Sequence, residues 1–198
     1  MTEPHHPTLK ASALLFACFA AMAAGMVELS LAAGYLAGSG TFPGGAARPA
    51  AGVATLAAGL GLMAWALMAL HRNSLVLPRV VKPALAVAAA GHLLVLAVGP
   101  EAGSSTGISH LTALCLVLMA LAGAGWLDRQ KKTNDGGAHG QPRTGRLLAA
   151  AFGAAVVVAS VATPGLAASM AGQYAVPHGE HGQAPQPGNQ IQIPSHHH

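Results

Sequence analysis

Charged residues are scarce in this 198-residue chain, where Asp, Glu, Lys and Arg together make up 8% of the sequence. Soluble globular domains carry about 25% charged residues, so the composition argues against a water-soluble protein. Aromatic residues are also few, at 4%, so large side chains supply little of the packing. Alanine and glycine are abundant, and small residues let helix backbones approach closely. The net charge of +4 is divided among short segments. Because no basic face is long enough to follow a phosphate backbone, we expect no nucleic-acid partner.

The sequence also lacks the motifs of common catalytic sites. It contains no P-loop, no nucleophile elbow, no H-E-x-x-H and no C-x-x-C motif. Its two cysteines, Cys18 and Cys115, lie within apolar runs, where a thiol usually behaves as a small hydrophobic group. Because nothing arranges a nucleophile, a base and oxyanion donors together, we expect the protein not to be an enzyme.

Five long apolar runs dominate the chain, at residues 11–37, 50–70, 77–98, 107–127 and 147–171. Each has at least 21 residues, enough for a helix to cross a hydrocarbon core of ~30 Å. The runs lack the alternation of barrel strands, so helices are the spanning structure. We therefore predict an all-α integral membrane protein, a bundle of about five transmembrane helices with short loops. Residues 1–10 precede the bundle, and residues 172–198 form a tail.

The distribution of basic residues predicts the orientation of the bundle. Two alternate loops hold most of them: Arg72, Arg79 and Lys82 in one, and Arg129, Lys131, Lys132, Arg143 and Arg146 in the other. The positive-inside rule places both loops in the cytoplasm. We therefore predict a multi-pass protein of the plasma (inner) membrane, with a cytoplasmic N-terminus and an extracytoplasmic C-terminus. The first run resembles a signal peptide with an A-x-A site at residues 21–23, although its continued apolar sequence favours an uncleaved helix.

Three ionisable residues lie within the predicted spans: Glu28, His92 and His110. Such residues are costly to insert in a membrane and are functional candidates for that reason. The predicted topology and a 1.5 Å rise per residue put all three at similar depth, toward the outside. Two imidazoles and a carboxylate suit a zinc or copper ion, and imidazole also suits a proton relay with Glu28. A haem held by the two histidines is a remote alternative. If the three residues bind no ligand, their role is structural, and each forms hydrogen bonds to a neighbouring helix.

The tail carries a second candidate site. His178 and His181 flank Glu180 in a segment rich in Pro, Gln and Gly, which cannot bury enough apolar surface to fold and is predicted to be disordered. Short histidine-rich tracts are typical of transition-metal capture. The terminal run 196–198 is set aside, because three final histidines are also what a purification tag leaves.

Two functional hypotheses follow from the sequence. The first is a small membrane protein that binds or handles copper or zinc at the extracytoplasmic face, with His92, His110, Glu28, His178 and His181 as its metal ligands. The second is a non-catalytic accessory or structural subunit of a larger membrane complex, because helices rich in Ala and Gly suit close packing against other helices. Both predict contact with the lipid bilayer, and the second adds a membrane-protein partner or another copy of the chain.

Overall fold

The computed structural model describes residues 6–38, 44–99, 104–133 and 144–169. They form five helices: α1 (His6–Leu36), α2 (Ala47–His71), α3 (Pro78–Val98), α4 (Ser105–Thr133) and α5 (Thr144–Ala168). Each of the five is long and apolar enough to cross a membrane. The prediction of an all-α protein with five helices able to span a membrane is confirmed. The predicted tail, with His178 and His181, lies outside the described residues.

Two helices extend beyond the apolar runs that predicted them. Helix α1 begins at His6, and α4 continues to Thr133. Part of the stretch 128–146, which the sequence predicted to be a loop, is therefore helical. No glycine or proline interrupts the chain between the end of the apolar run and Gly136, so the α4 backbone can continue. The Nζ of Lys82 on α3 also pairs with Asp128 Oδ2 at 2.5 Å, which holds this extension against its neighbour.

Helices α1 and α4 form the centre of the bundle. Helix α1 packs against α2, α4 and α5, and α4 packs in addition against α3 and α5. More than half of the apolar window of each central helix is buried, against less than a quarter in α2, α3 and α5. Within the described residues, α2 rests mainly on α1 and α3 mainly on α4, and no extensive packing joins α2 to α3. A groove between α2 and α3 results from this arrangement.

Glycines set the closest approaches between helices. A Cβ on Gly59 of α2 would lie 2.9 Å from the carbonyl oxygen of Gly25 on α1. On α5, a Cβ at Gly165 would lie 2.5 Å from the Cβ of Thr112 on α4. These distances are too short for any larger residue, so the small side chains supply the close packing that the composition predicted.

The connection between α2 and α3 is an ordered turn at one end of the bundle. The indole Nε1 of Trp65 donates a hydrogen bond to the carbonyl oxygen of Val76 at 2.9 Å. Leu75 and Val76 are buried, and Asn73 and Leu77 adopt positive φ angles of 46° and 48°. This turn fixes one end of both helices, and the three ionisable residues of the spans lie toward the other end.

Candidate functional site

Four polar side chains from three helices meet within the bundle. Glu28 and Tyr35 lie seven residues apart on α1, and this spacing of about two turns puts them on the same face. His92 comes from α3 and His110 from α4. The four are 2–5% exposed, so all of them are buried. We refer to Glu28, His92, His110 and Tyr35 as the polar cluster.

An unbroken chain of three hydrogen bonds joins the members of the polar cluster. Glu28 Oε1 lies 2.8 Å from His92 Nε2. On the other side of that ring, His92 Nδ1 lies 3.0 Å from His110 Nδ1. His110 Nε2 then lies 2.5 Å from the hydroxyl of Tyr35. The chain therefore leaves α1 at Glu28, passes through α3 and α4, and returns to α1 two turns later.

When both imidazoles are neutral, the three bonds can run in either of two directions along the chain. In the first, His92 Nε2–H donates to an ionised Glu28, His110 Nδ1–H donates to His92 Nδ1, and the Tyr35 hydroxyl donates to His110 Nε2. In the second, a protonated Glu28 donates to His92 Nε2. His92 Nδ1–H then donates to His110 Nδ1, and His110 Nε2–H donates to the oxygen of Tyr35. The two arrangements differ by one proton, so passing a proton along the chain reverses every donor and acceptor. This geometry can hold or move one proton between Glu28 and Tyr35.

The start of α4 determines the position of His110. The hydroxyl of Ser104 accepts a hydrogen bond from the backbone N–H of Gly107 at 3.1 Å, as an N-cap residue does. One residue before His110, the hydroxyl of Ser109 donates to the carbonyl oxygen of Gly165 on α5 at 3.1 Å. The cap sets where the helix begins and the bond to α5 fixes its rotation, so His110 is turned toward α1 and α3.

A cavity of ≈ 240 Å³ borders the polar cluster on the side of α2 and α3. Glu28, Tyr35, His92 and His110 all contribute to its wall, which is otherwise mostly apolar. Thr55 of α2 also lines it, but its hydroxyl is bonded to the carbonyl oxygens of its own helix. The second carboxylate oxygen of Glu28, Oε2, has no hydrogen-bond partner among the described residues.

The structure brings together all three ionisable residues that the sequence singled out in the spans. Glu28 contacts the His92 nitrogen that faces away from His110, so the three side chains form a line rather than a ring around one point. Within residues 6–38, 44–99, 104–133 and 144–169, no group of three or more His, Cys, Asp or Glu side chains is arranged to hold a metal ion.

Tyr35 is the member of the cluster that the sequence did not indicate as part of a site. Near the end of a span, a tyrosine is typical of an anchor at the membrane interface, so the position of Tyr35 alone does not indicate a buried partner for His110. The spacing of seven residues from Glu28 was the signal that could have identified it, because the two share a helix face.

Comparison with known protein families, with curated proteins and with solved structures finds no match for this chain.

Proposed function

We propose that this protein binds a transition metal ion, copper or zinc, between His92 and His110. The observation that carries the proposal is the pair of Nδ1 atoms 3.0 Å apart, with each opposite Nε2 bonded to Glu28 or Tyr35. Histidines that ligate metals almost always donate their second ring N–H to a carboxylate or another oxygen. The polar cluster provides this outer support for both imidazoles.

The spacing of the two nitrogens is compatible with a shared ion. Two imidazole ligands at 2.0–2.1 Å from a tetrahedral zinc ion are about 3.3 Å apart. The two Nδ1 atoms, 3.0 Å apart, therefore need to separate only slightly, and the rings must turn so that both lone pairs point at the ion. With the ion on both Nδ1 atoms, each Nε2 carries a proton, which His92 donates to Glu28 and His110 donates to the oxygen of Tyr35. The Glu28 carboxylate then offsets part of the ion's charge in a medium of low dielectric constant.

The proposal also includes the orientation of the bundle in the membrane and the further ligands of the metal ion. The positive-inside rule places the Tyr35 end of α1 toward the extracytoplasmic side of the plasma membrane, and residues 172–198 on that same side. His178 and His181 in this tail capture the ion from outside and raise its concentration near the cluster. Water or these histidines fill the coordination positions that the two imidazoles leave open.

Elemental analysis tests the proposal directly. The protein is purified without a metal-affinity step, from a chain ending at Ser195, and its bound metals and absorption spectrum are measured. We expect close to one copper or zinc ion per chain in the wild type and in a control variant, His71→Ala, which alters an exposed histidine at the end of α2. The double variant His92→Ala/His110→Ala should lose the ion, because both ligands are gone.

Unchanged metal content in the double variant contradicts the site. Removal of residues 173–198 should weaken capture at low metal concentration and leave the core site intact, so complete loss on truncation would place all binding in the tail. A Soret band would favour the haem alternative. A protein that takes up no metal and retains a membrane-protein partner on gentle extraction would instead support the accessory-subunit hypothesis.

A proton relay is a second candidate function, and the unbroken hydrogen-bond chain is the observation that favours it. A relay needs every link of the chain, whereas a metal site needs chiefly the two facing nitrogens. The hydroxyl of Tyr35 therefore distinguishes the two functions.

A further inference from the structure

The two imidazoles of the polar cluster point directly at each other. His92 Nδ1 and His110 Nδ1 are 3.0 Å apart, and the centres of the two rings are 5.3 Å apart. This is close to the largest separation of the ring centres that such a contact between the nitrogens allows. Both nitrogens therefore lie near the line that joins the ring centres, and the lone pair of each Nδ1 is directed along this line.

The hydrogen bonds behind the two rings hold this direction. His92 Nε2 lies 2.8 Å from Glu28 Oε1, and His110 Nε2 lies 2.5 Å from the Tyr35 hydroxyl. A tetrahedral ion requires both rings to turn away from their common line, which weakens these bonds because hydrogen bonds depend on angle.

An ion on the line between the two nitrogens requires a different adjustment. With metal–nitrogen bonds of about 2 Å, the nitrogens move to about 4 Å apart and the rings keep their direction. Helix α3 is among the least buried of the five, so a shift of this helix can supply the movement. The direction of the rings therefore favours an ion with two ligands in a line.

The charge of the cluster also selects the ion. Among the described residues that line the cavity beside the cluster, Glu28 is the only carboxylate. A singly charged cation and this carboxylate form a neutral pair, whereas a doubly charged ion leaves one positive charge uncompensated in an apolar region, which is costly. Within the part of the chain that the structure describes, no third His, Cys, Asp or Glu completes a metal site with the two imidazoles.

We propose that the ion held between His92 and His110 is Cu(I), bound in a line between the two Nδ1 atoms. The inference rests on the metal site proposed above and specifies its ion. Cu(I) is stable with two nitrogen ligands in a line, whereas zinc takes four ligands in a tetrahedron and Cu(II) favours a square arrangement. The linear ion needs no ligand from water or from the tail, and its single charge matches that of Glu28.

X-ray absorption spectroscopy of the copper-loaded protein tests the coordination. The full chain is purified without a metal-affinity step and is given Cu(I) with ascorbate under anaerobic conditions. The Cu(I) chelator bicinchoninate is added to keep weaker sites outside the cluster empty. We expect the absorption edge of linear Cu(I) and two nitrogen ligands at equal distances. His71→Ala, which alters an exposed histidine, should give the same spectrum, whereas His92→Ala/His110→Ala should leave the copper on the chelator.

Competition with zinc tests the selection by charge. The loaded wild type should keep its copper in roughly a hundredfold excess of zinc. Glu28→Gln should bind Cu(I) about 10–100-fold more weakly, because the charge is lost although the side-chain oxygen still accepts from His92 Nε2–H. Thr55→Val is the matched control, because Thr55 also lines the cavity but is uncharged, and it should leave the affinity unchanged.

The outcomes separate this inference from the metal site on which it rests. Three or four ligands around the copper, or replacement of the copper by zinc, overturns the assignment of Cu(I) and leaves the metal site in place. A wild-type chain that binds neither copper nor zinc contradicts the metal site and the assignment together.

Discussion

Tyr35 closes the hydrogen-bond chain through one atom, its hydroxyl oxygen, 2.5 Å from His110 Nε2. Tyr35→Phe keeps the ring and removes only this partner. Leaving a buried nitrogen unpaired should cost about 1–3 kcal/mol of stability, measurable by thermal unfolding in detergent. A metal site should lose about tenfold in affinity, measured by competition with a chelator of known affinity.

The same variant separates the two candidate functions. If the cluster is a proton relay, Tyr35→Phe should abolish proton movement into vesicles that contain a pH-sensitive dye, since the last link of the chain is missing. The matched substitution Tyr174→Phe, in the tail, should affect neither assay. Full metal affinity combined with full proton movement in Tyr35→Phe would contradict both roles of the hydroxyl.

In the proposed metal site, Glu28 supports His92 by its charge as well as by its hydrogen bond. In Glu28→Gln the side-chain oxygen still accepts from His92 Nε2–H, so the bundle should fold, but the negative charge is lost. We expect metal affinity to fall by about 10–100-fold, as it does when the outer partner of a ligating histidine is altered. Titration of the purified variant with zinc measures this loss. Unchanged affinity would show that Glu28 has only a structural role.

The glycines of α2 lead to a prediction about how closely α1 and α2 pack. Gly59 faces α1, where an added Cβ would lie 2.9 Å from Gly25 O and 3.1 Å from the Cβ of Glu28. Gly59→Ala should therefore force α1 and α2 apart and destabilise the protein by about 1–3 kcal/mol. Gly61→Ala is the matched control, because a Cβ there meets nothing within 4 Å. Thermal unfolding in detergent compares the two, and equal stability would contradict the close approach.

The sequence was sufficient to predict the helices and the common level of Glu28, His92 and His110 along them, but not the packing around these residues. Apolar length alone identifies a spanning helix, and the positions of Glu28, His92 and His110 along their spans predicted that they lie at one level. Which helices are central could not be predicted, because a helix that is apolar on every side has no distinct face for its neighbours. The rotation of α1 that turns Tyr35 toward His110 depends on that packing, so it became visible only in the structure.

At the scale of the whole molecule, the polar cluster connects α3 to the centre of the bundle, in addition to being a candidate site. Helix α3 packs extensively only against α4 among the described elements, and His92 gives it a direct bond to Glu28 on the central helix α1. At the opposite end, Lys82 ties α3 to α4 through Asp128. A change in the bonding of His92 therefore alters the attachment of α3 to the central helix α1.

Orientation in the membrane determines from which side an ion would reach the cluster. The positive-inside rule predicts a cytoplasmic N-terminus and an extracytoplasmic C-terminus. Alkaline phosphatase is active only outside the cytoplasm, and green fluorescent protein folds efficiently only inside it. A phosphatase fused after residue 198 should therefore be active, and green fluorescent protein fused at residue 1 or inserted between residues 134 and 143 should fluoresce. The reverse pattern would put the Tyr35 end of α1 on the cytoplasmic side, and the protein would then take its ion from the cytoplasm.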